Sequence, residues 1–260
     1  MSHQYLFGDS NTAAQRLKLL ASVYQESTRA FLTNAAGSAR FHLGLDLGCG
    51  PGFTTHLIAG TLRCDRVIGL DASASFIKLA SATAGGRMSF TQHDITATPF
   101  PGGNANLIFS RFLLTHLRDP AAVVTKWVTQ LEGGGLLLLE ETEAIHTANP
   151  VFTRYLGILE EMLAEQSNQL YAGRMVASLA SPGGLKSTFS ELHGLSVRNS
   201  DAARMFASNL NALKDSKPVR TNYSSRLLLA LENELREIAA IESPARQIEW
   251  EMRQSAWLKE

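Results

Sequence analysis

Cysteine is scarce in this sequence. Only Cys49 and Cys64 occur in 260 residues, too few for a disulfide framework or a four-cysteine zinc site. Cys49 lies between two glycines, where a bridge would distort a turn, so both are expected as free thiols in a reducing compartment. An excess of charge of one sign is also missing. Lys+Arg and Asp+Glu are both 24, and the formal net charge is zero. A chain that grips a phosphate backbone carries a basic excess, so no nucleic-acid partner is expected. Long apolar runs are absent. Runs such as Leu136-Leu137-Leu138-Leu139 are far too short to span a bilayer. Met1-Ser2-His3-Gln4-Tyr5 has no basic stretch and no apolar run, which speaks against a signal peptide and for the cytoplasm. No Gly-x-x-x-x-Gly-Lys-Ser/Thr loop occurs, and no His/Asp/Glu set has metal-ligand spacing. Neither a phosphate-cradling NTPase nor a metal site is expected.

What is present is material for a core. The hydrophobic fraction is 45% and the charged fraction 18%, values of a folded domain. Residues 11–34 show helical spacing, capped by Ser10 or Asn11. From Phe41 onward, short apolar runs alternate with helical stretches. Leu43–Leu47, Arg66–Asp71, Met88–Asp94, Asn106–Ser110 and Gly135–Glu141 read as five strands. Helices are expected near Thr54–Leu62, Ser73–Ser81 and Pro120–Gln130. Strands joined by helices imply parallel pairing and a doubly wound α/β sheet. Such sheets bind ligands at the carboxyl ends of their strands. Asp46, Asp71, Asp94, Ser110 and Glu141 are expected there.

After Glu141 the rhythm breaks. Residues 150–180 read as helical, and 143–180 are expected to form a cap insertion over the strand ends. Gly184–Leu192 reads as a helix, Leu195–Ser200 as a sixth strand and Ser224–Ile241 as a helix. Gln247–Leu258 alternates like a strand, with Ile248, Trp250 and Met252 set against Glu249, Glu251 and Arg253. One domain over 1–260 is expected.

The strongest chemical signal is Asp46-Leu47-Gly48-Cys49-Gly50-Pro51-Gly52. A strand must turn sharply into a helix while its backbone passes close to a ligand. Gly48, Gly50 and Gly52 remove the side chains that would block both. The helix N-terminus then offers N–H groups to an anion, and Asp46 can meet an ammonium. Alone, such a loop is also an ordinary turn with a structural aspartate. Asp71, however, lies 19 residues after Gly52, the spacing of an acidic residue that accepts from ribose hydroxyls. Asp94 can accept from an adenine amine, with Ile95 packed on the ring. A dinucleotide fingerprint needs Gly or Ala where this chain has Phe53, so NAD and FAD are disfavoured.

Four stretches, Leu45–Thr54, Val67–Ser73, His93-Asp94-Ile95 and Phe109–Pro120, resemble the successive motifs of class I S-adenosylmethionine-dependent methyltransferases. The similarity covers about residues 40–141, and Ser110–Pro120 is similar to the small-molecule branch. The resemblance implies a Rossmann-like, mostly parallel seven-stranded sheet with an antiparallel last strand, Gln247–Leu258. It implies S-adenosyl-L-methionine as cofactor, with the methionine part at Gly48, Cys49 and Gly50. It places the ribose at Asp71 and Ala72, the adenine at Asp94 and Ile95, and the methyl near Ser110 and Arg111. Residues 1–40, with Tyr5, Phe7 and Arg16, resemble a helical flap over the cofactor. The Asn/Asp-Pro-Pro-Tyr of nucleic-acid and protein-amide methylators is replaced by Ser110-Arg111-Phe112-Leu113, which leaves a small-molecule acceptor as the expectation.

A hydroxyl or ammonium acceptor also needs a base. His116, six residues past Ser110, is the candidate, although a capping or core role fits it equally. Glu141 and His146 near the fifth strand, and Tyr155 and Tyr171 in the cap, are candidate substrate contacts. The run Glu140, Glu141 and Glu143 reads as a solvated edge with one pocket residue. Arg174, Lys186, Arg198, Arg204, Lys214, Lys217 and Arg220 could assemble a basic stripe for RNA.

Overall fold

The computed structural model describes residues 8–214, 217–243 and 247–260. Tyr5 and Phe7 of the expected flap lie outside them. The first strand, β1 (Arg40–Leu47), is buried from Leu43 onward, because both faces of the sheet are covered there. It pairs in parallel with β2 (Arg63–Asp71) on one side and β4 (Ala105–Arg111) on the other. Outside β2 lies β3 (Met88–Gln92), also parallel. Outside β4 lies β5 (Leu131–His146), parallel again. Two antiparallel strands follow, β7 (Gln247–Leu258) against β5 and β6 (Lys186–Arg198) at the edge. The order is β3-β2-β1-β4-β5-β7-β6. The doubly wound, mostly parallel sheet with an antiparallel final strand is therefore present.

Successive strand residues face opposite layers. Leu136 and Leu138 turn to one face, with Phe41, Val67 and Phe109. There they meet Phe31 and Leu32 of α1 (Asn11–Ala36) and Ile58 of α2 (Phe53–Thr61). Leu137 and Leu139 turn to the other face, with Leu45, Leu47 and Ile108. That side is closed by Val124 and Trp127 of α4 (Pro120–Thr129) and Val176 of α6 (Ala172–Ser178). α3 (Ala74–Ser81) crosses between β2 and β3.

β5 and β7 outrun the parallel strands. Thr142–His146 pair with Glu249–Met252 beyond the sheet. On this extension sits a third cluster that joins Trp250 and Met252 to α5 (Pro150–Glu165), α7 (Asn199–Leu213) and α9 (Ser225–Ala240). A short α8 (Lys217–Asn222) precedes α9. The helical layer thus draws on α7 and α9 as well as on α5, while, of the expected 143–180 cap, residues 143–146 continue β5 and α6 packs on the sheet face. No helix among the described residues is long and apolar enough to cross a membrane.

Two assignments in the second half are corrected. Gly184–Leu192, expected as a helix, belongs mostly to β6, which starts at Lys186. Leu185, Phe189 and Leu192 fall at helical spacing, and an edge strand exposed over most of its length shows no clean alternation. Pairing with β7 decides the outcome. The sequence reading also passed over α7, although Ala203, Phe206, Leu210 and Leu213 line its buried side at helical intervals.

Candidate functional site

At the carboxyl end of β1 the chain turns through Gly48, Gly50 and Gly52, with φ of 70°, 52° and 91°. All three are left-handed, where a Cβ is strained. Gly52 must also be bare, because a Cβ there would lie 2.9 Å from the Phe90 ring. The loop is pinned from below: Gly48 N–H and Cys49 N–H both donate to Leu70 O, at 2.8 and 3.0 Å. It is pinned from the side as well. Gly50 N–H donates to Asp71 Oδ2 at 2.9 Å, and Ser73 N–H to Asp71 Oδ1 at 2.8 Å. Each Asp71 oxygen keeps a lone pair for a further donor. Burial raises the Asp71 carboxyl above its ordinary range, against the pull of these two amides.

Asp46 lies beneath the loop. Its Oδ2 accepts from the Thr54 and Thr55 hydroxyls, each at 2.6 Å. Burial pushes its pKa up to about 6, opposed by those hydroxyls and by Arg111. The first turn of α2 therefore holds this carboxylate. Ser110 pairs with Leu47 across β1 and β4, and its buried Oγ has no hydrogen-bond partner. A buried hydroxyl left so is one that a ligand can satisfy.

Beside Ser110, Arg111 donates from Nη1 to Thr28 Oγ1 at 2.7 Å. Thr28 donates in turn to Glu140 Oε2 at 2.5 Å, and Gln254 Nε2 reaches Glu140 Oε1 at 2.6 Å. The network ties α1, β4, β5 and β7 together. Tyr24, one turn back on α1, packs edge-on against Phe112 with ring centroids 4.9 Å apart. Its buried hydroxyl has no hydrogen-bond partner. Phe112 itself sits at φ 55°, an uncommon conformation for a bulky residue.

The expected solvated edge on β5 is corrected. Glu140 is 0% and Glu141 1% exposed, and Glu143 is ion-paired to Arg253 at 3.1 Å. Nor does Glu141 end a strand, since β5 runs on to His146. Its Oε1 accepts from Leu113 N–H and Leu114 N–H at 2.8 and 2.9 Å. Burial pushes its pKa up to about 8 despite those amides. Glu141 thus fixes the turn after β4.

His116 closes that turn, and burial with the Arg16 charge nearby pushes its pKa down to about 3. It is neutral at physiological pH and a weak base. Tyr155 is buried, stacked on Phe206 at 4.3 Å. Two other candidates lie away from the loop. His146 is exposed beside Glu251, with Nε2 3.3 Å from it. Tyr171 opens α6 under the Arg174 guanidinium, 4.8 Å from the ring centroid. At the adenine end, Asp94 lies two residues past β3, where Oδ1 accepts from Thr96 N–H at 2.9 Å. Ile95 is buried, its carbonyl accepting from Trp127 Nε1 at 2.8 Å. Ala72 is exposed, and its carbonyl accepts from Gln92 Nε2.

The roof is α1. Leu17 Cδ1 lies 3.5 Å from where a Cβ on Gly50 would stand. Asp9, just ahead of the helix, accepts from Ser73 Oγ at 2.7 Å. The sequence reading missed Thr28, Tyr24 and Gln254 as site residues. No local pattern marks them, because only the packing of α1 on the sheet brings them there.

Comparison with known proteins gives a partial likeness. Residues 45–139 match the family model described as a methyltransferase domain. That stretch, from β1 to β5, is similar to a methyltransferase domain. Over 98 residues the chain is 37% identical to a trans-aconitate 2-methyltransferase of Methylobacterium radiotolerans, covering 38% of this chain and 37% of that protein. Over 116 residues it is 29% identical to phosphoethanolamine N-methyltransferase 3 of Arabidopsis thaliana, covering 43% and 24%. The chain spans less than half the length of these relatives. A phosphoethanolamine N-methyltransferase of Haemonchus contortus, solved with S-adenosylhomocysteine, shares the fold at TM-score 0.56 and 15% identity, over 94% of this chain and 57% of that one. The cofactor of such domains is S-adenosylmethionine. The unpartnered Ser110 Oγ, the open lone pairs of Asp71 and the bare glycine loop fit it.

Proposed function

We propose that this chain transfers a methyl group from S-adenosylmethionine to a small-molecule acceptor. The observation that carries the proposal is the glycine loop hydrogen-bonded to Asp71, with the unpartnered Ser110 hydroxyl at the adjoining strand end. Asp71 is assigned to the ribose, Asp46 and the loop to the methionine part, and Ser110 with Arg111 to the methyl end. Once bound, the cofactor supplies an electrophilic methyl, so positioning of the acceptor provides much of the rate. The residues that position it are those under α1.

The basic residues of the second half support a small acceptor over RNA. Arg198 and Arg204 both pair with Asp201, Lys214 pairs with Glu232, and Lys186 with Glu260. Charges used in ion pairs are poorly placed to grip phosphates. The free, buried Cys49 and Cys64 suit a reducing cytoplasm.

The test is transfer from methyl-labelled S-adenosylmethionine into fractionated cell extract. Label in the small-molecule fraction is the expected result. Label confined to RNA or protein refutes the acceptor class. Tight cofactor binding without any demethylated product refutes methyl transfer itself.

A further inference from the structure

At the end of the sheet opposite the glycine loop, where β1 and β2 begin, a hollow of about 240 Å³ opens to the surface. Its walls are Thr33 and the turn 37–39 at the end of α1, with Thr61, Leu62 and Arg63 between α2 and β2. Among the described residues, none that lines it is acidic. Arg63 is exposed, and among the described residues it makes no hydrogen bond or ion pair. The strand register sharpens this. Arg40 and Arg63 are direct partners at the first positions of β1 and β2, and like charges side by side on a sheet repel. Arg40 is offset by Asp65, with Nη2 2.8 Å from Oδ1. Arg63 has no such carboxylate among the described residues. Arg29 adds a third guanidinium, donating from Nη1 to Thr61 Oγ1 at 3.1 Å. The carboxylate beside Arg29, Glu26, is exposed and 3.9 Å away.

Two helices end here, and the last carbonyls of a helix carry partial negative charge that disfavours an anion. In this hollow those carbonyls are occupied. Thr33 O accepts from Gly37 N–H at 2.9 Å, Ala36 O from Ala39 N–H at 3.1 Å and Ile58 O from Leu62 N–H at 2.9 Å. Arg87 Nη2 donates to Ala59 O and Leu62 O, which sets a further positive charge at the end of α2. The groups left to meet a ligand are donors. They are the Arg63 guanidinium, the exposed Ser38 hydroxyl and the Thr61 O–H, whose oxygen accepts from Arg29 while its hydrogen stays available. We propose that this hollow binds a phosphoryl group, free or on a small organic molecule, between Arg63, Ser38 and Thr61. The site goes beyond methyl transfer and does not depend on it.

Charge and donor geometry select that group. A guanidinium fork matches two phosphate oxygens, and a phosphoryl group keeps a third acceptor oxygen for the hydroxyls. A carboxylate has two oxygens, which the fork already engages. A cation meets no acidic side chain in the lining and is repelled by Arg63. A bound anion also relieves the repulsion between Arg40 and Arg63. The opening is at the surface, so the second charge of a phosphomonoester stays hydrated. The volume admits a phosphate with a short organic tail.

The test is isothermal titration of the full chain with inorganic phosphate and with glycerol 3-phosphate, at constant ionic strength, with and without S-adenosylhomocysteine. Acetate and succinate are the carboxylate arms. At least one phosphate probe is expected to bind saturably with Kd below about 10 mM. The tighter of the two shows whether the group is taken free or esterified. Arg63→Gln should weaken it about tenfold, and Ser38→Ala and Thr61→Val about twofold to fivefold each. Arg66→Gln removes an exposed charge from the same strand outside the hollow and should leave affinity within about twofold. Phosphate should raise the Tm of the wild type and leave that of Arg63→Gln unchanged. Absence of saturable phosphate binding up to about 10 mM overturns the site. Equal losses in Arg63→Gln and Arg66→Gln overturn it too, as does a carboxylate bound as tightly as phosphate. Displacement of phosphate by S-adenosylhomocysteine overturns its placement, since the glycine loop lies at the other end of β1.

Discussion

Glu141 links the site to stability, and its protonation can be followed with pH. Its carboxyl has a pKa of about 8 in the folded chain against an ordinary 4.5. The folded state therefore holds a proton that the unfolded chain releases. Where the native state binds more protons, stability falls as pH rises. The contribution is fully present below pH 4.5 and is lost as pH climbs through 8. Integrating the two titrations between pH 5 and 8 gives a loss of roughly 3 kcal/mol from Glu141. Asp46, raised from 3.8 to about 6, adds about 1 kcal/mol in the same direction over that window. Glu141→Gln keeps an oxygen for the Leu113 and Leu114 amides and removes the titration. His116, lowered from 6.5 to about 3, gains about 2 kcal/mol over the same window. Urea unfolding at pH 5, 6.5 and 8 should therefore show a net fall of about 2 kcal/mol in the wild type and a rise of about 1 kcal/mol in Glu141→Gln. The variant should be the more stable protein at pH 8. Glu141→Ala strands both amides and should lose about 2–4 kcal/mol already at pH 5. If Glu141→Gln falls as steeply as the wild type, the carboxyl does not carry that proton and the electrostatic account of this turn is wrong.

Two further expectations concern the loop and the network behind it. Asp71→Ala should weaken S-adenosylhomocysteine about 30-fold or more, for the loss of charge-assisted hydrogen bonds worth about 2 kcal/mol. His116→Ala should change it less than about threefold, and equal losses in calorimetry would contradict the role given to Asp71. Thr28→Val leaves Arg111 Nη1 and Glu140 Oε2 each short of one bond. It should lower stability by about 2 kcal/mol and Tm by about 6 °C, while Thr28→Ser stays near wild type. An unchanged Tm in Thr28→Val would mean that the hydroxyl bridge carries no net stability.

Which parts were legible in the sequence follows from where each signal resides. The glycine loop was readable because left-handed φ values at Gly48, Gly50 and Gly52 are a local demand that only glycine meets without strain. β1, β2 and β4 were readable because strands covered on both faces become continuous apolar runs. Gln247–Leu258 kept its alternation because one side packs on the helical layer. Lys186–Arg198 hid its strand for the opposite reason. It lies at the sheet edge, exposed over most of its length, and β7 is the strand it pairs with.

Charge state was the least legible quantity. Glu140, Glu141 and Glu143 form one acidic run in the chain, yet they end as a bridged acid, a buried amide-holder and an ion pair. His116 appeared as a base from its spacing, and burial beside Arg16 takes that basicity away. By itself the sequence determined the α/β sheet, the loop and the aspartate that ends β2, because these follow from backbone geometry and periodicity. Tertiary structure alone decided which residues of α1 reach the strand ends. It also decided that Thr28 bridges Arg111 to Glu140, and that Arg16, Asn209 and Tyr155 meet. The physical reason is that these contacts join residues far apart in the chain, up to 193 positions for Arg16 and Asn209. Only the burial of apolar faces on a common sheet brings such partners within reach.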